Sequence, residues 1–472
     1  DYYSNSFQYL RNLAFFGMAT YSYKGRYTIN GTLRYEGSNM LGKSRQARWL
    51  PTWNVSGSWN AHEENWWAPT FGKDWTYASL KASYSLTADR GPASNSLAVF
   101  QSFTPWRPST SANESAIILA ALENSELTYE KKHELNIGVA FGFLDNRINV
   151  EFDWYRRNNF DLIGYTQTMG VGGVTTKLAN DATMESTGCE FTISTTNIKT
   201  KDFKWTTDWI FGWAENTITK LDSRSQVYSL VNGVGRTEGR PIGALYSIPF
   251  AGLTEEGLPT FFIDAEHTQV VGPGNYAAIY FQEYENIDYL KYEGTIDPKI
   301  TGSFGNTFSW KGLKLNVFFT YSFGNVLRLD NLCPVYSSDY SDLTASMKEM
   351  KNRWMIPGDE QITTIPAIAT VRQMREINAL NNAYSAYNYS TERVAKGDFI
   401  RLKELSLAYD LPKKVLEGQN AISSFGLKLS ATNLWLAYAD KKLNGRDPEY
   451  YNSGGVSSPV PRQFTLTVKL GF

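Results

Sequence analysis

Residues 134–154, ELNIGVAFGFLDNRINVEFDW, decide the fold. Leu135, Ile137, Val139, Phe141 and Phe143 alternate with Glu134, Asn136, Gly138, Ala140 and Gly142. After Leu144, Asp145 and Asn146, the apolar set Ile148, Val150, Phe152 and Trp154 alternates with Arg147, Asn149, Glu151 and Asp153. Successive side chains of a strand point to opposite faces, so a period of two gives each segment one oily and one polar face. Asp-Asn tolerates the positive φ of a tight connection, and the pair reads as a β-hairpin.

Outward from this hairpin the same period recurs. It appears at Tyr27, Ile29, Gly31, Leu33, Tyr35; at Trp53, Val55, Gly57, Trp59; and at Ala78, Leu80, Ala82, Tyr84, Leu86. It returns at Phe203, Trp205, Trp209, Phe211, Trp213, at Leu313, Leu315, Val317, Phe319, Tyr321, and at a closing strand with Phe464, Leu466, Val468, Leu470 and Phe472. About thirteen strands are predicted: 12–23, 26–36, 50–61, 76–88, 130–143, 147–157, 185–197, 203–217, 300–310, 313–326, 394–411, 425–437 and 461–472.

The connections alternate. KG, a stretch near 62–75, LDN, KTKD, KG again and a segment after Pro412 are short, whereas 89–129, 158–184, 218–299 and 327–393 are long. A soluble β-sandwich also alternates apolar and polar residues, but nothing in it sorts short and long loops onto opposite ends. Outer-membrane barrels do so, with short periplasmic turns, long extracellular loops and aromatic girdles at the two interfaces. The expected fold class is an all-β, transmembrane antiparallel β-barrel.

Composition is consistent with this reading and excludes others. Among 472 residues, 46 Lys+Arg face 47 Asp+Glu, so there is no electrostatic footprint for nucleic acid. The longest apolar run, AIILAAL at 116–122, is far too short for a membrane helix. Cys189 and Cys333 lie far apart with no CxxC spacing, and no GxSxG, GxxxxGK[ST] or HExxH occurs, so neither a disulfide framework nor an enzyme is expected. Cys189 alternates with Glu190 and is expected on the lipid face.

With the short turns periplasmic, the last strand ends in the periplasm and the first one here starts outside. Single-chain bacterial barrels have an even number of strands, so an odd number is expected upstream, and residues 1–472 read as the C-terminal part of one barrel domain.

Several blocks carry a family resemblance: YTINGTLRYEGSN from Tyr27, LTYEKKHELNIGVAFGFLDNRINVEFDWY from Leu127, GRPIGALYSI, NRWMIPGDE, GDFIRLKELSLAYDLPKK, SATNLW, NGRDPEYYNSGG and PVPRQFTLTVKLGF. In this order they resemble the C-terminal barrel of the SusC/RagA family of TonB-linked (TonB-dependent) outer-membrane transporters. The resemblance implies a barrel of about 22 strands, with a plug, a TonB box and the first strands absent from this chain. It implies active import of oligosaccharides, glycan fragments or peptides across a Bacteroidetes-type outer membrane, energised through TonB, with a SusD-like surface lipoprotein as lid. Barrels of the family often pair, so a homodimer is a further possibility of the resemblance. A passive porin-like channel and a non-transporting surface glycan receptor stay open as alternatives.

Aromatic loop residues are the candidate substrate contacts, since their faces stack on sugar rings. They are Trp106 with Arg107, then Tyr280, Phe281, Tyr284, Tyr289 and Tyr292, then Tyr384, Tyr387 and Tyr389. Each has a competing role in packing its own loop or a lid. Leu343, Met347, Met350 and Trp354, behind Ser341 or Asp342, have the spacing of a short amphipathic helix. Asp339 with Asp342, Glu255 with Glu256, and Asp359 with Glu360 are acidic pairs that could ligate calcium in an extracellular loop, though none has EF-hand spacing. Otherwise no cofactor and no metal is expected. NGRDPE at 444–449 reads as loop structure, because Asp before Pro favours a turn.

Overall fold

The computed structural model describes residues 9–72, 74–92, 96–106, 114–171, 173–332, 348–412, 422–451 and 459–471. Its long strands are β1 (Asn12–Tyr23), β2 (Tyr27–Ser38), β3 (Trp49–Asn60), β4 (Trp75–Asp89), β5 (Glu130–Phe143), β6 (Ile148–Gln167), β7 (Thr176–Lys199), β8 (Phe203–Leu221), β9 (Ile300–Trp310), β10 (Leu313–Phe323), β11 (Phe399–Asp410), β12 (Ser424–Ala439) and β13 (Gln463–Gly471). They form one 13-stranded sheet in which neighbours follow chain order, a meander. Among the described residues β1 and β13 have one hydrogen-bonded neighbour each in that sheet. Shared cross-strand registers keep the apolar faces on one side, as in Val139 opposite Phe152 and Phe152 opposite Phe191.

The turns explain the hairpins. Leu144, Asp145 and Asn146 all have positive φ, 51°, 55° and 60°. Lys311 and Gly312 form a two-residue connection between Trp310 and Leu313, with φ of 45° and 91°, the type I′ geometry that matches strand twist.

Two strands run longer than the alternation predicts. β6 continues to Gln167 and β7 begins at Thr176, so their connection is only 168–175 and not the long loop 158–184. A strand needs about 9–11 residues to cross the hydrocarbon layer. Beyond that length polar residues fall on both faces, as at Arg156–Asn159, and register shifts between Asn159 and Ile163 break the period although the ladder continues. Conversely, Val394–Lys396 leaves the eleventh strand to pair with Val326–Arg328, so β11 starts at Phe399 and not at 394.

The chain divides into two compact units, residues 1–195 with 212–223, and 196–211 with 224–472. In the first, Leu41, Leu127, Tyr129 and Ile163 pack at the long-loop end, and His133 stacks between Tyr84 and Phe160. At the short-turn end Trp66, Trp67, Phe71, Trp75 and Phe143 touch one another, an aromatic cluster of the kind that marks a membrane interface. Cys189 is a free thiol, half-buried, on the apolar face opposite Trp154.

In the second unit the polar and apolar faces of β9 to β13 are equally distinct. Phe464, Leu466, Val468 and Leu470 are each at least half exposed, a row that only lipid or another apolar surface can accommodate. Phe472 lies outside the described residues. On the apolar face the Tyr321 hydroxyl donates to the main-chain oxygen of Ile210 and accepts from Trp209 Nε1, both at 2.9 Å. Tyr321 crosses directly over Gly302, where a Cβ would collide with both partners of that first bond.

Candidate functional site

The described residues of the two longest connections, 224–299 and 324–398, fold together into a loop body with its own core. Its walls are three small sheets: Ala244–Ser247 with Lys291–Thr295, Phe250–Leu253 with Pro259–Phe262 and Val270–Val271, and Val326–Arg328 with Val394–Lys396. The helix Leu380–Asn388 supplies Leu380, Ala383, Tyr384, Ala386 and Tyr387 to the interior. Each large apolar side chain buried there contributes about 1.5–3 kcal/mol.

This core corrects part of the aromatic list. Tyr384 and Tyr387 are 2% and 1% exposed and Tyr289 is 6% exposed, so they present no surface to a solute. Tyr384 donates to the main-chain oxygen of Ala367 at 2.7 Å, the partner a buried phenol requires. Burial pushes the Tyr289 phenol up to about 12. The physical reason is the helix: residues 384 and 387 are one turn apart, so they share its inward face.

The remaining candidates lie on the surface of the body. Tyr280 is exposed, Phe281 and Tyr389 are half-buried with ring centroids 6.1 Å apart, and the Tyr284 hydroxyl accepts from Gln226 Nε2. Tyr228 completes this rim, meeting Phe281 at 6.4 Å and Tyr389 at 6.0 Å. Tyr228 escaped the sequence reading because it stands alone in the five-residue helix Val227–Val231. Tyr292 turns away from the rim to pack on Tyr246. Trp106 is exposed in the first unit, and Arg107 lies outside the described residues.

Arginines organise the body and the last loop. Arg328 donates to Ser247 Oγ at 3.1 Å and to the main-chain oxygens of Ser390 and Val231 at 2.9 and 3.2 Å. Burial pulls its pKa down to about 10, so it remains a cation at neutral pH. Arg393, also buried, pairs with Glu349 at 2.6 Å and donates to the Asp330 main-chain oxygen at 2.6 Å. The Asp330 carboxylate in turn pairs with Arg446 of the last loop. Arg401, on the polar face of β11, pairs with Asp447, which also caps the short helix Pro448–Tyr450 through its bond to the Glu449 amide. NGRDPE is therefore loop structure, as its Asp-Pro step predicts, and its charges additionally fasten the loop to the strand.

Beneath this last loop lies a cavity of about 520 Å³, lined among others by Asp330, Arg401, Asn433, Arg446, Asp447 and Arg462. A second, about 330 Å³, follows the polar face of β10 to β13 past Lys314, Asn316, Glu404, Asp410, Lys428 and Lys469. Polar, charged and well spaced, these walls suit the passage or holding of hydrated solutes.

One of the acidic pairs, Asp359 with Glu360, resolves locally. Asp359 accepts from the amides of Met355 and Ile356 at 2.9 and 3.1 Å, while Glu360 accepts from Trp354 Nε1 and the Gly358 amide. These carboxylates thus serve a turn. Among the described residues no group of three or more His, Cys, Asp or Glu side chains converges on a metal position. The expected amphipathic helix is a 3₁₀ helix over Lys348–Asn352 in its described part, with Met350 buried. Trp354 packs on Gly257. Ser341, Asp342, Leu343, Met347, Asp339 and Cys333 lie outside the described residues.

No family model matches the chain. Curated relatives do. TonB-dependent receptor P3 of Formosa agariphila is 26% identical over 97% of this chain and 45% of its own length. TonB-dependent receptor SusC of Bacteroides thetaiotaomicron is 30% identical over 44% of this chain and 21% of its own length. The chain spans under half the length of these relatives. Among solved structures, the RagAB peptide transporter superposes over 98% of this chain and 47% of its own with a TM-score of 0.74 at 22% identity, a shared fold. The relatives are named as receptors and transporters. With its strand meander and lipid-facing rows, the chain is a β-barrel protein of the bacterial outer membrane that is similar to TonB-dependent receptors, SusC among them.

Proposed function

We propose that this chain forms barrel wall and extracellular loops of an importer that takes up large nutrients across the outer membrane, driven through TonB. The observation that carries the reading is the loop body: the described residues of two connections of a membrane sheet, 224–299 and 324–398, build a cored structure with an aromatic rim above a charged polar face. Loops of that length with their own core are associated with function more than with support. A wide barrel must be plugged at rest, so passage requires work from the inner membrane. Oligosaccharides and peptides are the solute classes in view, since one structural neighbour is a peptide transporter and exposed aromatic faces suit sugar rings. A SusD-like lipoprotein is the proposed lid, TonB the proposed source of work, and pairing of two barrels a further proposal.

The test is uptake by a strain that lacks the gene, complemented with the complete protein in the presence and absence of TonB. Import restored only with TonB supports the reading. Import that persists without TonB points to a passive channel, and growth and uptake unaffected by the deletion, with surface binding lost, to a receptor.

A further inference from the structure

The cavity under the last loop holds a specific charge imbalance. Its lining contributes Arg401, Arg446 and Arg462 against Asp330 and Asp447. Both carboxylates are already engaged, Asp447 by Arg401 and Asp330 by Arg446. Glu449, just outside the lining, is 3.2 Å from Arg401 Nε and 3.6 Å from Lys403 Nζ, so it too is engaged. Arg462 is exposed, and no counter-ion for it is found among the described residues. A second observation concerns the wall itself. Asn433, which lines the cavity, sits at the bulge of β12 with φ of 52°, and its Oδ1 is buried with no hydrogen-bond partner among the described residues. Buried polar atoms are rarely left unpaired, and those that are call for a partner of their own. Tyr450, Tyr451 and Pro461 supply the apolar edge.

Resting on the import reading, we propose that this cavity is a binding site for a carboxylate-bearing unit of the imported solute. The carboxylate lies against Arg462, a neighbouring hydroxyl or N–H donates to Asn433 Oδ1, and the carbon skeleton lies along Tyr450 and Tyr451. A guanidinium recognises a carboxylate through charge-assisted bonds, which are roughly twice as strong as neutral ones. A volume of about 520 Å³ falls within the range of small-ligand sites and has room for one or two monomer units. The same chemistry is presented by a uronic acid residue of an oligosaccharide and by the free C-terminus of a peptide.

Calorimetric titration of the complete protein in detergent distinguishes these sources and needs no TonB. The probes are digalacturonic acid against cellobiose, and trialanine against its C-terminal amide. Expected is binding at least tenfold tighter for the acid of one pair than for its neutral counterpart, a loss of about tenfold with Arg462→Gln, and recovery with Arg462→Lys. Asn433→Leu should weaken the same probe while the protein keeps its heat-modifiable gel mobility. Equal affinity for acid and neutral probes, indifference to Arg462→Gln, or absence of binding by all four probes overturns the proposal. Binding that is present where uptake fails leaves the site standing and removes the import reading. Uptake that proceeds without acid-selective binding does the reverse.

Discussion

Arg328 reaches back 97 residues in sequence to the main-chain oxygen of Val231, 3.2 Å away, and so ties the first turns of the two long loops to each other. Its bonds to Ser247 and Ser390 make it the shared centre of the loop body. Replacing it by Met leaves several acceptors in a dry interior, at a cost of about 1.5–3 kcal/mol for each charge-assisted bond lost. Limited proteolysis should then cut within 224–299 and 324–398 at least tenfold faster, with the sheet still resistant. Unchanged cleavage would show that the apolar core alone holds the two loops together.

Acid should loosen the same body. Burial raises the Glu349 carboxyl, but the hydrogen bond and charge of Arg393 outweigh it and hold the group below the usual carboxylate range. A depressed folded pKa contributes stability that is present above the unfolded value and lost as pH falls through the folded one. Cleavage of the loops should therefore accelerate below about pH 4. Glu349→Gln should accelerate it at neutral pH and flatten the acid limb; a variant with the parental pH profile would sever this link.

On the lipid face, Leu466→Arg in β13 should cost about 2–4 kcal/mol if its site is near the bilayer midplane, whereas Thr467→Arg, one residue along and on the opposite face, should be tolerated. The readout is the fraction of protein that reaches the outer membrane in heat-modifiable form. Equal assembly of the two variants would contradict the assignment of faces.

Gly302→Val should displace Tyr321 from Ile210 and Trp209, with a cost of about 1–3 kcal/mol, seen as a lower unfolding temperature in detergent. Tyr321→Phe should recover none of the hydrogen bonds and lose about 1 kcal/mol by itself. Full stability of the valine variant would mean that the strands yield more easily than their close approach indicates.

The sheet was legible because a strand with lipid on one side and water on the other writes a period of two into its sequence. The hairpin at Leu144–Asn146 and the Lys311–Gly312 turn were readable for a related reason, since positive φ restricts the residues allowed. Where both surroundings are aqueous the code disappears, which is why the outer ends of β6 and β7 read as loop. The loop body was hidden for the opposite reason. Its core joins residues from two segments separated by a hairpin of the main sheet, and no local pattern announces that Tyr276 and Tyr387 share an interior. Aromatic richness marked the right loops but could not separate the buried Tyr384 from the exposed Tyr280.

That discontinuous core has a consequence for how such proteins diversify and for how they can be re-engineered. Neither long loop is an independent cassette: transplanting 224–299 alone would strip Tyr384 and Tyr387 of the surfaces they fill, and transplanting 324–398 alone would orphan Leu258 and Phe261. Chimeras between relatives should therefore be viable when both segments are exchanged together with the β9–β10 hairpin between them, and should misassemble when a crossover falls inside that block. The unit of recombination is one contiguous stretch from about residue 224 to 398, however ordinary the strands in its middle.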